Sequence, residues 1–426
     1  MSLYDKASIA LIPSGTKASK LYSVLPANGD GDFTHSRGST ATRVNKDGLI
    51  ESVATNVPRL DYPLTNGVVG DCPNLLLEPS RTNQLQRTEE FDNSYWTKNN
   101  LTITSNQIVS PDGSQTADKY THGGSSASNY IYGSAGSVTS GNQYTFSVFV
   151  KKGTGTFVQI LFGSGAFGSL HQNFDIENGL IGGSSGDATA FIDEYPNGWY
   201  RVGITDTCTT TQSSGTAIIS LAQSNTSSRL SSFTSSDNFY VWGAQVEQGS
   251  YPTSYISWDG SGTTTRSADV CSGSGTSAEF NDTESSLFVE IQGLAEDNTN
   301  RYISISDGGA SPYTNSVAIQ YRNNGTLRIF HNGLDFADAI LISGASFDQT
   351  VSHKIAVRFK ENDMKVYIDG VSQSLNSSFV YQSISGLNTF KFTQPFGTSL
   401  GFVGKVKQAI VFNEALSDSE LETLTS

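Results

Sequence analysis

Apolar and polar residues alternate in short bursts along the chain, each closed by Gly, Ser, Asn or Pro. Alternation with a period of two predicts strands with one buried face. Between about 90 and 256 the bursts are YTFSVFVKK (144–152), TFVQILFG (156–163), GWYRVGITDT (198–207), TAIISLAQ (216–223) and NFYVWGAQVE (238–247). In the last of these, Phe239, Val241 and Gly243 face one way and Tyr240, Trp242 and Ala244 the other. The pattern then breaks at Gln248-Gly249 and Pro252, as a final strand does on leaving its sheet. Roughly 165 residues of strands and Gly/Ser turns predict a jelly roll, a sandwich of two sheets.

A second set of bursts runs from 278 to 426. SLFVEIQGL and RYISISDG open it, SVAIQYRNNGTLRIFHNG predicts a hairpin with a type I′ turn at Asn324-Gly325, and HKIAVRFKENDMKVYIDGVSQS predicts another. In the latter, Ile355, Val357 and Phe359 share a face with Met364, Val366 and Ile368. At the end Ser417-Asp-Ser-Glu420 reads as a capping box, with Leu416, Leu421 and Leu424 docking a short helix. Residues 1–90 hold only brief apolar pieces, SIALIPSG, KLYSVLP and TATRVNKDGLIESV, which cannot bury a core alone and must pack on something else. The Gly/Ser/Thr-rich stretch 257–277 reads as a linker. The expected organisation is therefore all-β: a β-rich module (1–90), a jelly roll (91–256), the linker (257–277) and a second sandwich (278–426).

Composition agrees with this reading. Hydrophobic residues make up 36% of the 426, charged residues only 15%, and there are 42 glycines. That suits Gly- and Ser-looped strands rather than helices or disorder. The net charge of −14 and the singly scattered Lys and Arg argue against a nucleic-acid partner. No apolar run approaches the roughly 20 residues of a membrane span, and the first residues do not read as a secretory signal. Cys72, Cys208 and Cys271 lack metal-ligand spacing; buried free thiols are expected, with a Cys72–Cys271 pair as the alternative.

Several stretches resemble known proteins. MSLYDKASIALIPSG, GDGDFTHSRGSTATRVNKDGLIE, NVPRLDY, CPNLLLEPSRTNQLQ and EEFDNSYWTK are similar to structural proteins of marine-type bacteriophages. Asn197-Gly-Trp-Tyr-Arg-Val202 with 238–256 resembles the closing strands of carbohydrate-binding jelly rolls in phage virion proteins. The last third resembles concanavalin A-like (laminin G-like) lectin modules. The resemblance implies a virion protein, assembled in the host cytoplasm and released by lysis. Residues 1–90 would attach it to other virion proteins, while the sandwiches project toward host surface polysaccharide. It also implies a homo-oligomer, a trimer by analogy with phage fibres. No heptad segment imposes a register, so the contact surface is expected on exposed apolar strands within 1–90.

Candidate chemistry is sparse. Asp175-Ile-Glu177 is the nearest approach to a glycosidase carboxylate pair, but it runs into the Asn178-Gly179 turn. The five histidines are dispersed and no nucleophile elbow is present, so catalysis is not expected. Asn28, Asp30 and Asp32 space oxygens as calcium loops do, but Ser39 stands where such a loop needs its bidentate Glu. A solvated loop is the reading, with structural Ca2+ as the alternative and no cofactor required. Sugar binding needs open aromatic rings beside polar side chains. Trp199 and Trp242 read as core. Tyr130, Tyr132 and Phe167 in the first sandwich, and Tyr313, Tyr321, Arg322 and His331 in the second, are the candidate glycan contacts. Three functions remain: a glycan-binding fibre or decoration, a capsid decoration or spacer without a sugar ligand, and a polysaccharide depolymerase, which the missing carboxylate pair disfavours.

Overall fold

The computed structural model describes residues 2–309, 314–331, 340–342, 347–374 and 383–426. The alternating bursts are strands throughout. The C-terminal sandwich pairs two sheets. One runs, in spatial order, through Val371–Ser372, Asp363–Ile368, His353–Lys360, Glu284–Gly293 and Gly404–Phe412, then on to Asn74–Leu77 and Arg59–Asp61. The other is Ile340–Ile342, Leu327–His331, Ser316–Tyr321, Arg301–Ser306 and Thr389–Lys391.

The free edge of Gly404–Phe412 is filled by the beginning of the chain. Ile9–Leu11 pairs antiparallel with it (Ile9 opposite Val411), and Asn74–Leu77 takes up the same edge further along (Leu75 opposite Val406). An open edge would leave a row of backbone N–H and C=O groups unpaired; the N-terminal strands satisfy them. Their side chains enter the same core. Ile9, Leu11, Leu21, Phe33, Leu75 and Leu77 pack with Leu287, Val289, Ile355, Val357 and Val411. The expectation that 1–90 packs on something else holds, and that something is the last third of the same chain. Ile9, Leu11, Leu21 and Leu75 have no exposed area and so offer no contact surface, whereas Tyr22, Val24 and Val68 of the same region stay exposed.

The stretch 257–277 is not a linker. Thr264–Arg266 pairs with Arg81–Asn83, and Val270–Ser272 pairs with Phe33–Ser36. Its Gly and Ser content suggests a spacer, but Arg266, Asp269 and Cys271 within it are buried and tie it down.

The jelly roll is two six-stranded sheets. The first is Thr97–Asn99, Tyr130–Ser134, Thr216–Leu221, Phe157–Phe162, His171–Asp175 and Leu180–Ser185. The second is Leu101–Ile108, Ala117–His122, Asn238–Gln248, Gln143–Lys152, Trp199–Thr207 and Thr189–Tyr195. Between them lie Tyr120, Phe146, Val148, Val158, Ile160, Val202 and Phe239. On the outer side of the second sheet Phe149, Trp199, Trp242 and Tyr255 form a further cluster that takes in Ile50 from the N-terminal hairpin Ala41–Val44/Ile50–Val53. Residues 1–90 are thus wedged against both sandwiches.

Local details follow the sequence with one change. The C-terminal helix Asp418–Thr425 starts with the capping box Ser417/Glu420, and Leu416 and Leu421 are buried. The 316–331 hairpin forms, but of its two expected turn residues only Gly325 is left-handed (φ 73°). Gly325 N–H donates to the Arg322 carbonyl (3.2 Å) and Arg322 N–H to the Thr326 carbonyl (2.8 Å), a type I turn closed by a left-handed glycine rather than a type I′ turn. All three cysteines are free: Cys72 is exposed, while Cys271 lies in the C-terminal core, where burial pushes its thiol pKa well up.

Candidate functional site

Of the expected contact residues, the structure brings Tyr130 and Tyr132 together on an open surface. They stand two apart on the strand Tyr130–Ser134, so they share one face. Both are half-buried, and their ring centroids are 6.3 Å apart with planes at 35°. Asn99 lies opposite Tyr130 and Thr97 opposite Tyr132, both exposed, and opposed residues of an antiparallel pair project to the same side. The result is a strip of two phenol rings on the outer face of the first jelly-roll sheet, flanked by the Thr97 hydroxyl and by the Asn99 amide, whose Nδ2 donates to Ser128 O (2.6 Å).

The same face continues inward and becomes covered. Register places Gln159 and Asn173 opposite one another, and both are buried. The segment that follows Thr216–Leu221 lies over them. Asn173 Nδ2 donates to Ser227 O (2.7 Å), Gln159 Nε2 to Ser228 O (3.2 Å), and Leu230 N–H to Gln159 Oε1 (2.8 Å). His171 joins them through Ser227 O (3.2 Å), and burial lowers its pKa. These amides are spent on the chain itself, which leaves the tyrosine strip as the accessible part of the face.

The remaining expected contacts are placed otherwise. Phe167 is buried and stacks on Phe162 (4.2 Å between centroids). Tyr321 is in the C-terminal core, edge-on to Phe347 and Phe402, and burial raises its phenol pKa well above the usual range. His331 is buried beside Phe359 (5.7 Å between ring centroids), with its pKa lowered to about 4 by desolvation. Arg322 is half-buried in the hairpin turn, beside Thr326. Tyr313 lies outside the described residues. Phe167, Tyr321 and His331 are therefore closed to a ligand, because all three rings are buried.

Asn28, Asp30 and Asp32 tie their own loop. Asn28 Nδ2 donates to Asp30 Oδ2 (2.7 Å), Asp30 N–H to Asn28 Oδ1 (3.0 Å), and Ser23 N–H to Asp32 Oδ1 (2.9 Å). No group of three or more His, Cys, Asp or Glu able to hold a metal occurs among the described residues. Asp175 caps its turn by accepting from Glu177 N–H and Asn178 N–H (3.0 Å each), and Glu177 pairs with Lys152 (2.7 Å); the two carboxylates face no common groove.

The motifs of the first 90 residues converge on a buried ion cluster that the sequence reading missed. Arg37, Arg59, Glu78, Arg266 and Asp269 are all nearly or wholly inaccessible. Asp269 receives Arg37 Nη1 (2.9 Å), Arg59 Nη2, His35 Nε2 (3.2 Å) and the Glu78 N–H (3.0 Å). Glu78 receives Arg59 Nη1 (2.6 Å), Arg266 Nη1 (2.9 Å), and both the hydroxyl and N–H of Ser254 (2.7 Å each). Burial alone would raise these carboxyl pKa values, but the arginines win. Glu78 is held at about 2 and Asp269 lower still. The cluster joins the N-terminal module, the end of the jelly roll and the 257–277 stretch, so these motifs serve architecture. Only Arg59 and Arg266 of the five lie within strands, and no local pattern in the sequence marks the others as buried.

Residues 285–422 match a family model, Laminin_G_3, described as the concanavalin A-like lectin/glucanases superfamily. No curated protein matches the chain. Among solved structures, the carbohydrate-binding module CBM40 of the Ruminococcus gnavus IT-sialidase, bound to α2,3-sialyllactose, is 18% identical. The match covers 36% of this chain and 94% of that one, with a TM-score of 0.30. The leech intramolecular trans-sialidase with 2,7-anhydro-Neu5Ac is also 18% identical, over 34% of this chain and 23% of that one (TM-score 0.28). The NanB sialidase of Streptococcus pneumoniae is 16% identical over 35% and 25% (TM-score 0.28). This is an all-β chain whose C-terminal sandwich is a concanavalin A-like domain.

Proposed function

We propose that the chain is a virion structural protein of a bacteriophage that attaches non-covalently to surface glycans. The phage part rests on the resemblance of residues 1–100 to marine-phage structural proteins. The glycan part rests on one observation, the Tyr130/Tyr132 strip with Asn99 and Thr97 beside it. Stacked rings hold the apolar faces of a pyranose and flanking amides and hydroxyls take its hydroxyl groups. A single strip of this size binds weakly, so attachment works through many copies on one particle.

A glycan array probed with the full chain and with a Tyr130→Ala/Tyr132→Ala double variant tests this. The expected outcome is binding by the parent chain and at least tenfold weaker binding by the variant, with unchanged melting. Immunogold labelling of particles locates the chain, and its absence from them would remove the virion part. A second reading, a spacer or decoration with no sugar ligand, draws support from the burial of Phe167, Tyr321 and His331, which leaves only Tyr130 and Tyr132 of the expected aromatic contacts open among the described residues. Array silence for the parent chain would favour it.

A further inference from the structure

A cleft of about 490 Å³ opens where the N-terminal module, the jelly roll and the C-terminal sandwich meet. Its walls come from all three: Asp61 and the Leu64–Thr65/Val68–Val69 hairpin, Asp193, Tyr195 and Arg201, and Lys405. This volume is within the roughly 300–1,000 Å³ typical of small-molecule sites.

The lining is charged yet not self-satisfied. Asp61 is buried; it accepts from Val44 N–H (2.9 Å) and lies 3.7 Å from Lys405 Nζ. Asp193 is an exposed residue of the cleft wall, and desolvation there raises its carboxyl pKa, as burial does for Asp61. Arg201 is 5% exposed. Its Nη atoms bond Thr253 O (2.8 Å) and Ser147 Oγ (3.0 Å), while its Nε–H meets no hydrogen-bond geometry. The guanidinium stands beside the Tyr195 phenol, whose pKa burial pushes up to about 12.

We infer that this junction cleft is a second binding site, for a neutral sugar. Carboxylates at Asp61 and Asp193 accept hydrogen bonds from ligand hydroxyls, Arg201 and Lys405 donate to ring and hydroxyl oxygens, and Tyr195 supplies an apolar wall. Mixed signs disfavour a strongly charged ligand, and the described residues form no metal group. The site goes beyond the tyrosine strip and does not depend on it.

The test uses the full chain carrying Tyr130→Ala/Tyr132→Ala, so that loss of the strip and loss of the cleft are separable. Saturation-transfer NMR with galactose, N-acetylglucosamine and lactose is the readout. At least one probe is expected to receive saturation. Adding Asp193→Ala, or Thr65→Trp to plug the mouth from an exposed hairpin position, should weaken it at least tenfold without lowering the melting temperature. No transfer to any of the three probes, or equal binding with both added substitutions, would overturn the inference.

Discussion

Replacing Asp269 by Ala tests whether the ion cluster holds the molecule together. The substitution leaves Arg37 with backbone carbonyls alone, takes one of two carboxylates from Arg59, and orphans the Glu78 N–H and His35 Nε2. Removing one partner of a buried pair costs about 3–5 kcal/mol, and an orphaned buried N–H adds about 1–3 kcal/mol. A total of about 5 kcal/mol is a large part of the roughly 5–15 kcal/mol by which a domain is stable. At about 2–4 °C per kcal/mol for a unit of 150–250 residues, the melting temperature should fall by roughly 10–20 °C. Calorimetry should show that fall in the transition of the C-terminal sandwich, because the N-terminal strands complete its sheet. Lys152→Ala, which breaks an exposed ion pair with Glu177, is the control and should cost under about 1 kcal/mol. A fall of less than about 3 °C for Asp269→Ala would refute the reasoning.

Two further outcomes depend on pH. Glu78 is depressed to about 2 in the folded chain against about 4.3 unfolded. Its contribution, on the order of 3 kcal/mol, is present above the unfolded value and is lost as pH falls from about 5 towards 2. Glu78→Gln should therefore melt lower at neutral pH and show a shallower loss of melting temperature over that window; parallel curves would contradict this. His331, with its pKa lowered to about 4 by burial, stays neutral until well below the unfolded value of about 6.5. It thus favours folding above about pH 6.5 and loses that contribution as pH falls towards 4. NMR of the imidazole should show no titration between pH 8 and 5, and a midpoint near 6.5 would be wrong for a buried ring.

Both sandwiches were legible because their cues are local. Alternation within Gln143–Lys152 or His353–Lys360 reports burial without any knowledge of partners. The same rule, applied more strictly, places Tyr321 in step with Val317 and Ile319, and His331 in step with Leu327 and Ile329, so both belong inside. Phe167 gave no such warning, since it ends the short helical turn Ser164–Phe167 between strands. What no local pattern shows is pairing across the whole chain. Arg59 and Asp269 stand 210 positions apart, and each alone looks like a surface charge. The strip at Tyr130 and Tyr132 was readable as two aromatics in step, but the covering of its neighbours Gln159 and Asn173 by 227–230 was not.

The pairing of Ile9 with Val411 has a consequence for how the chain matures. A strand made among the first residues finds its partner only after about 400 more have been added. Closing a loop of that length costs about 5 kcal/mol of chain entropy before any contact repays it. The jelly roll, whose strands lie between residues 97 and 248, can form while the ribosome is still working. Leu75 can pair early with Leu60, but Ile9, Leu11, Leu75 and Leu77 must wait for the strand Gly404–Phe412 before their shared core exists. Chains that stop short of Gly404 should therefore be the aggregation-prone ones, because the sheet edge that Ile9–Leu11 fills does not yet exist.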